Sequence, residues 1–392
     1  MKKRITILGS TGSIGTTTLK IINYKKKLFD IDTLIANSNY KKISQQILKF
    51  KPRNFVISNY RIYSKIIKKF KNNKTKIFNH YKDIKKIKKN DIVVAAIPGI
   101  SGLEATIYFT AQTKKILLAN KESIICGWNI IKKVSKENRT RIIPLDSEHF
   151  SISKLTDGKN DNEVEKIYIT ASGGPFLNLP KSKFKNIKPI QAIKHPKWKM
   201  GNKISVDSAT LMNKILELLE AQKLFKFNIN KYKIIIHPQS LVHAIIKFKN
   251  GISKLLYHEP DMLIPISNAI FDKKLDFNNL TKNKFNKENT IKNLEFKKVD
   301  MDKFQVIKLI PKLNEYVSTP IVINAANEIL VDQFLKKKIS FSSIIQYIFL
   351  VLKDKNYKKY AIYRPTNLKN IYMIDHWSRK TTLSIIKKYR RT

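Results

Sequence analysis

Apolar and polar residues fall along this chain in blocks whose period keeps switching. Ile5-Thr6-Ile7-Leu8 is the short apolar run of a buried strand, Gly9 to Gly15 is a tight glycine loop, and Thr16 to Asn23 starts a helix. Strand-like runs recur at 31–36, 54–58, 91–97, 115–119 and 141–145, and 41–50 is helical by its apolar spacing. Strands alternating with helices predict an α/β fold: a parallel, doubly wound sheet with right-handed crossovers. In such sheets ligands sit beyond the carboxyl ends of the strands.

The pattern then changes. Strands are expected at 166–170 and 233–236 with a helix over 212–225 between them, which describes a second α/β domain. Residues 272–300 are rich in Lys and Asn and read as a linker. Helical stretches around 304–313, 321–335, 342–352 and 381–389 predict a C-terminal helical domain. The expected division is 1–146 for nucleotide binding, 147–271 for chemistry with a hinged loop at 195–201, the linker, and 301–392.

Composition narrows the function less than its extremes suggest. Lys+Arg 77 against Asp+Glu 29 gives a net charge of +48, which alone would suggest a nucleic acid or an anionic membrane as partner. The lysines are instead dispersed among Ile and Asn, without zinc-finger spacing, an RNP-like aromatic strand or a basic heptad region. No specific nucleic acid partner is expected. Cys126 is the only cysteine, so no internal disulfide is possible, and a reducing cytoplasm is the expected compartment. The apolar stretch after Met1-Lys2-Lys3-Arg4 reaches Gly9 too soon for a signal h-region, and no apolar run approaches the ~20 residues of a membrane span.

Candidate chemistry concentrates in the middle of the chain. Asp146 and Glu148, if extended, point the same way and converge on one divalent cation, with Glu217 as third ligand. If the run from Met212 is a helix, Asn213 and Glu217 share a face. Ser172 in Ala171-Ser172-Gly173-Gly174-Pro175-Phe176, together with Ser208, Asn213 and Lys214, could surround one phosphate. The loop His195-Pro196-Lys197-Trp198-Lys199-Met200-Gly201 has the composition of a lid. Gly9-Ser10-Thr11-Gly12-Ser13-Ile14-Gly15 suits a dinucleotide pyrophosphate. Ala36-Asn37-Ser38-Asn39 lacks the acidic residue of NAD enzymes and has Lys41 and Lys42 close by, which favours NADP. His149 could orient a metal ligand. His237-Pro238-Gln239-Ser240-Leu241-Val242-His243 and Asn324-Ala325-Ala326-Asn327-Glu328 read as structural.

GSTGSIG, LLANKES, PLDSEH, ASGGPF, HPKWKMG, KISVDSATLMNK, HPQSLVHA, EPDM and NAANE occur in that order over almost the whole chain. The set resembles the 1-deoxy-D-xylulose 5-phosphate reductoisomerases, whose members turn that sugar phosphate and NADPH into 2-C-methyl-D-erythritol 4-phosphate, on the non-mevalonate route to isoprenoids, with Mg2+, Mn2+ or Co2+. The resemblance implies a Rossmann-like first domain and a homodimer. It also implies NADPH contacts at Thr11, Gly12, Ser13, Ile14, Asn39, Asn120, Glu122 and Gly201, and metal ligands at Asp146, Glu148 and Glu217. Substrate contacts would fall on Lys121, Ser147, Ser172, His195, Ser208, Asn213 and Lys214. A retro-aldol and aldol sequence before hydride transfer is likewise implied.

Three places, five residues in all, depart from the family: Asn37-Ser38 replaces Gly-Lys, Ile215 replaces a common Gly, and Leu263-Ile264 replaces Arg-Thr. Two rival functions remain in view. A simple NADP-linked dehydrogenase would leave the three carboxylates unexplained, and a nucleic-acid-binding protein on a disused enzyme scaffold would leave them no reason to persist.

Overall fold

Seven parallel strands make the first sheet: β1 (Lys3–Leu8), β2 (Phe29–Ala36), β3 (Asn54–Ile57), β4 (Lys76–Phe78), β5 (Asn90–Ala95), β6 (Thr113–Leu118) and β7 (Arg141–Pro144), in the order β4-β3-β2-β1-β5-β6-β7. This computed structural model describes residues 2–85, 88–198, 200–271 and 293–389. The strand order reverses between β1 and β5, which is where a doubly wound sheet opens its ligand crevice. The connecting helices are α1 (Ser13–Tyr24), α2 (Tyr40–Phe50), α3 (Tyr60–Lys69), α4 (Leu103–Ala111) and α5 (Lys121–Glu137). Asparagine starts three of them: Asn39, Asn59 and Asn120 accept hydrogen bonds from Lys42 N, Ile62 N and Ser123 N at 3.0, 3.1 and 2.5 Å. Each satisfies one of the amides that a first helical turn leaves unpaired.

The next segment is built around a mixed five-stranded sheet. It comprises β8 (Val164–Ala171), β9 (Tyr232–Ile236), β10 (Val242–Phe248), β11 (Ser253–Tyr257) and β12 (Lys297–Lys298), ordered β11-β10-β8-β9-β12. Of its helices α6 (Ser147–Leu155), α7 (Pro189–Ala192), α8 (Asn202–Ala209) and α9 (Met212–Leu224), α6 carries Ser147 and Glu148, α8 carries Ser208, and α9 carries Asn213, Lys214 and Glu217. β8 and β9 are parallel, so the loops after them leave the sheet at the same end.

The chain divides into two units, neither of them one continuous stretch: 1–123, 129–147 and 262–292 form the first, and 124–128, 148–261 and 293–392 the second. Helix α10 (Leu263–Phe271) therefore belongs with the first sheet. Its Leu263, Ile266, Ala269 and Ile270 join Ile5, Ile7, Leu34, Phe55, Ile92, Val94 and Leu117 in one core, and Lys115 Nζ donates to Ala269 O at 2.7 Å near the helix end. The substituted Leu263 is thus a core residue. Residues 272–292 of the stretch expected to be a linker, and Lys199 of the 195–201 loop, lie outside the described residues, and Lys297–Lys298 of that stretch form β12.

In the second unit α11 (Thr319–Leu335), α12 (Phe341–Leu352), α13 (Tyr357–Ala361) and α14 (Leu368–Tyr389) form the expected helical region. Two details differ from the sequence pattern. Gln305–Lys312 is a 3-10 segment with Pro311 inside it, where the missing amide forbids a regular α-turn. α14 begins at Leu368, well before 381; its buried Asp375, Ser378 and Thr382 break the apolar period that marks a helix in the sequence. Among the described residues no helix is long and apolar enough to cross a membrane.

Candidate active site

The glycine loop ends β1 and opens α1. Gly9 has φ +85°, and both Gly9 N and Ser10 N donate to Ile35 O, at 2.9 and 2.8 Å. Gly15 has no room for a side chain: a Cβ there would sit 2.3 Å from Gly9 O and 2.6 Å from Ser10 Cα. With Gly12 in the N-cap position, the amides of Ser13, Ile14 and Gly15 form the first turn of α1, a place suited to anions. Ser10 Oγ donates to Gln46 Oε1 at 2.7 Å, and Gln46 Nε2 returns a bond to Ser10 O at 2.8 Å, tying the loop to α2. Lys42 Nζ reaches Thr11 O at 3.0 Å, so one of the two predicted lysines stands at the loop. Exposed Asn37 and Ser38 precede the Asn39 cap.

Further along the same unit, the Asn120 side chain is committed to protein. Its amide donates to Gly99 O at 2.9 Å and to Ile97 O, while its oxygen caps α5. Lys121, buried in the first turn, places Nζ 3.2 Å from Asp146 Oδ2. Glu122 and Ser147 are also buried.

Asp146 and Glu148 do not lie in an extended segment as expected. Ser147 begins α6, so Asp146 stands just before a helix and Glu148 sits in its first turn, where a carboxylate is favoured by the helix dipole. The apolar Phe150 and Ile152 continue that helix, and the short run gave no readable helical period. In the second unit Glu148 and Glu217 offer oxygens within 4.8 Å of one another. Lys214 Nζ bonds both, at 2.8 Å to Glu217 Oε2 and at close range to Glu148 Oε1. Asn213 donates to Glu217 Oε1 one helical turn away, the pairing that the α9 spacing predicts.

His149 braces this turn. Its Nε2 lies 2.9 Å from Glu217 O and its Nδ1 3.2 Å from Glu220 Oε2, both side chains being fully buried. Glu220 went unnoticed in the sequence; the Glu217-x-x-Glu220 spacing on one helix was the available signal. Leu211, at φ 64°, makes the left-handed turn between α8 and α9: its amide donates to Ser208 O and its carbonyl accepts from Lys214 N, both at 3.1 Å.

Ser172 and His195 meet at 3.0 Å. His195 Nδ1 accepts from Lys197 N and Trp198 N, at 3.1 and 2.9 Å, so the neutral ring carries its proton on Nε2 and donates it to the serine. Burial, with the Lys214 ammonium adding to it, lowers the His195 pKa to about 4. Ser172 Oγ also accepts from Gly174 N at 3.1 Å, which leaves its own hydrogen to donate outward. Gly174, at φ +66°, packs so tightly on α8 that a Cβ would lie 2.9 Å from Ser208 O. Ser172 and Ser208 are thereby neighbours. On the 195–201 loop, Trp198 meets His243 edge-on at 5.9 Å, and His243 stacks on His258 at 3.9 Å. Gly201 is the exposed N-cap of α8. His237 N donates to Ala171 O at 2.7 Å, a backbone role for the first motif read as structural.

Family models described as 1-deoxy-D-xylulose 5-phosphate reductoisomerase, its C-terminal domain, and a DXP reductoisomerase C-terminal domain match residues 5–127, 142–225 and 258–381. The chain belongs to the 1-deoxy-D-xylulose 5-phosphate reductoisomerase family. The reductoisomerase of Pelagibacter ubique is 44% identical over 96% of this chain and 97% of its own length. That of Wolbachia pipientis wMel is 37% identical over 98% of each. A crystal structure of a reductoisomerase in complex with NADPH, fosmidomycin and magnesium superposes with a TM-score of 0.89 at 32% identity, covering 98% of both chains. This membership favours the enzyme over both rival functions.

Proposed function

We propose that this chain converts 1-deoxy-D-xylulose 5-phosphate and NADPH into 2-C-methyl-D-erythritol 4-phosphate with a divalent cation. The observation that carries the reading is the Glu148, Lys214 and Glu217 cluster on the same unit as the Ser172 and His195 pair, metal donors beside phosphate donors. Carboxylate oxygens suit a hard cation such as Mg2+, Mn2+ or Co2+. Asp146 is held near Glu148 by the two intervening peptide bonds and is assigned as the third ligand. Bound there, the ion would polarise the substrate ketone and ease loss of the adjacent hydroxyl proton, the prelude to a retro-aldol and aldol rearrangement.

The remaining work falls to the protein's own groups. Ser172 and Ser208 donate hydroxyl protons to the phosphate, Asn213 an amide, and neutral His195 holds Ser172 in place. Lys214 balances the charge of Glu148 and Glu217, and Lys121, 3.2 Å from Asp146, is assigned to the oxyanion charge that develops on the substrate. For NADPH, Gly15 lets the Gly9 and Ser10 backbone pack directly on α1, where a Cβ would collide, and this holds the loop so that the α1 amides can meet the pyrophosphate, with Thr11, Gly12, Ser13 and Ile14 lining it. Lys42 favours the 2′-phosphate beside Asn39, while Asn120 shapes its loop and Glu122, Gly201 and Ser147 are assigned by family likeness. A homodimer and a cytoplasmic location rest on the same likeness and on the single cysteine.

The test is loss of NADPH absorbance with 1-deoxy-D-xylulose 5-phosphate, with and without Mg2+ or Mn2+. Turnover that needs both sugar phosphate and metal is expected. Metal-independent turnover, or none, would sink the proposal.

A further inference from the structure

The Asn324 to Glu328 motif does more than fill the helical core. Asn327 Nδ2, on α11, donates to Asp207 Oδ1 at 2.8 Å, and the other Asp207 oxygen pairs with Lys203 Nζ at 2.9 Å. Asp207 is 1% exposed, and a carboxylate that deep is tolerated only while its oxygens are bonded. One residue along α11, Glu328 pairs with Arg379 of α14, which also holds Asp375 at 2.6 Å, so Asn327 is itself on a braced helix.

Asp207 immediately precedes Ser208. Consecutive residues on a helix point about 100° apart, so the rotation that keeps Asp207 on Asn327 also fixes where Ser208 faces. Gly174 packs against Ser208 O, and that contact passes the same constraint to the Ser172 loop.

We propose that Asn327 is a positioning residue for the substrate phosphate: through Asp207 it sets the rotation of α8 and thereby aims the Ser208 hydroxyl. This rests on the reading of Ser208 as a phosphate contact. A carboxamide is required because Asp207 needs a donor, and a carboxylate at 327 would repel it.

The experiment compares Asn327→Leu, Asn327→Asp, the reciprocal double variant Asp207→Asn with Asn327→Asp, and Ser208→Ala in the full chain. KM for the sugar phosphate, kcat, and Kd for inorganic phosphate and for NADPH are measured with the thermal midpoint. Asn327→Leu and Asn327→Asp should raise KM and the phosphate Kd about tenfold, the size expected for a lost bond to a charged group, with NADPH Kd unchanged. The reciprocal variant should recover much of the phosphate affinity, because donor and acceptor are exchanged, and it keeps the test open if a single variant folds poorly. A lowered midpoint with unaltered KM and phosphate Kd would overturn the inference and leave Asn327 a stabilising residue only. Ser208→Ala separates the two levels: if it leaves KM unchanged the phosphate reading itself fails, whereas if it raises KM and Asn327→Leu does not, only the present inference fails.

Discussion

Ser172 accepts its hydrogen bond from His195 Nε2 at 3.0 Å, and two backbone amides on Nδ1 fix the direction of that bond. The pair therefore works with a neutral imidazole, consistent with a pKa lowered to about 4 by burial and by Lys214. An unfolded histidine titrates near ~6.5. Between those values the unfolded chain holds a proton that the folded chain does not, so stability should fall as pH drops through that window. Denaturation midpoints measured from pH 7 down to 4 should show a shallower fall for His195→Gln than for the parent.

Glu217→Gln removes one carboxylate charge while keeping the size of the side chain. We expect kcat to drop by about a hundredfold or more, with NADPH affinity intact because the glycine loop belongs to the other unit. Fluorescence titration of NADPH beside steady-state rates checks this; parallel loss of both would indicate misfolding.

Lys214 bonds the same carboxylates that are assigned to the cation. A metal ion and this ammonium compete for those oxygens, so Lys214→Gln should tighten Mn2+ binding in the absence of substrate by about threefold to tenfold. The same change should raise KM for the sugar phosphate. Calorimetry with Mn2+ alone reads the first effect, and weaker Mn2+ binding would contradict it.

Gly15→Ala forces a methyl to within 2.3 Å of Gly9 O. The loop must shift, which should weaken NADPH by about tenfold or more and cost about 1–3 kcal/mol of stability. Mn2+ affinity should not change, and an unaltered NADPH Kd would show that the loop does not hold the cofactor.

Legibility varied with the range of the interactions involved. The βα units were readable because β1, the glycine loop and α1 are local patterns of apolar period and turn chemistry. The Asn213 and Glu217 pairing was readable for the same reason, being fixed by one helical turn. Asp146 and Glu148 were misread as extended because a short segment supports either period. The buried roles of Glu220 and Asp207 were not legible because their partners, His149 and Asn327, lie far away in sequence; the Glu217-x-x-Glu220 spacing marks a shared helix face but does not say that the face is buried. The placement of α10 was hidden for a similar reason: an apolar helix does not say which sheet it will cover.

That helix bears on how the protein is made. As the chain leaves the ribosome, the first sheet is complete once β7 has emerged, yet its core still lacks Leu263, Ile266 and Ile270. The whole central α/β segment must be synthesised before they arrive. Side chains of the first sheet such as Ile5, Leu34 and Val94 share their core with these residues, so the core of the first unit can close only after the central segment has been made.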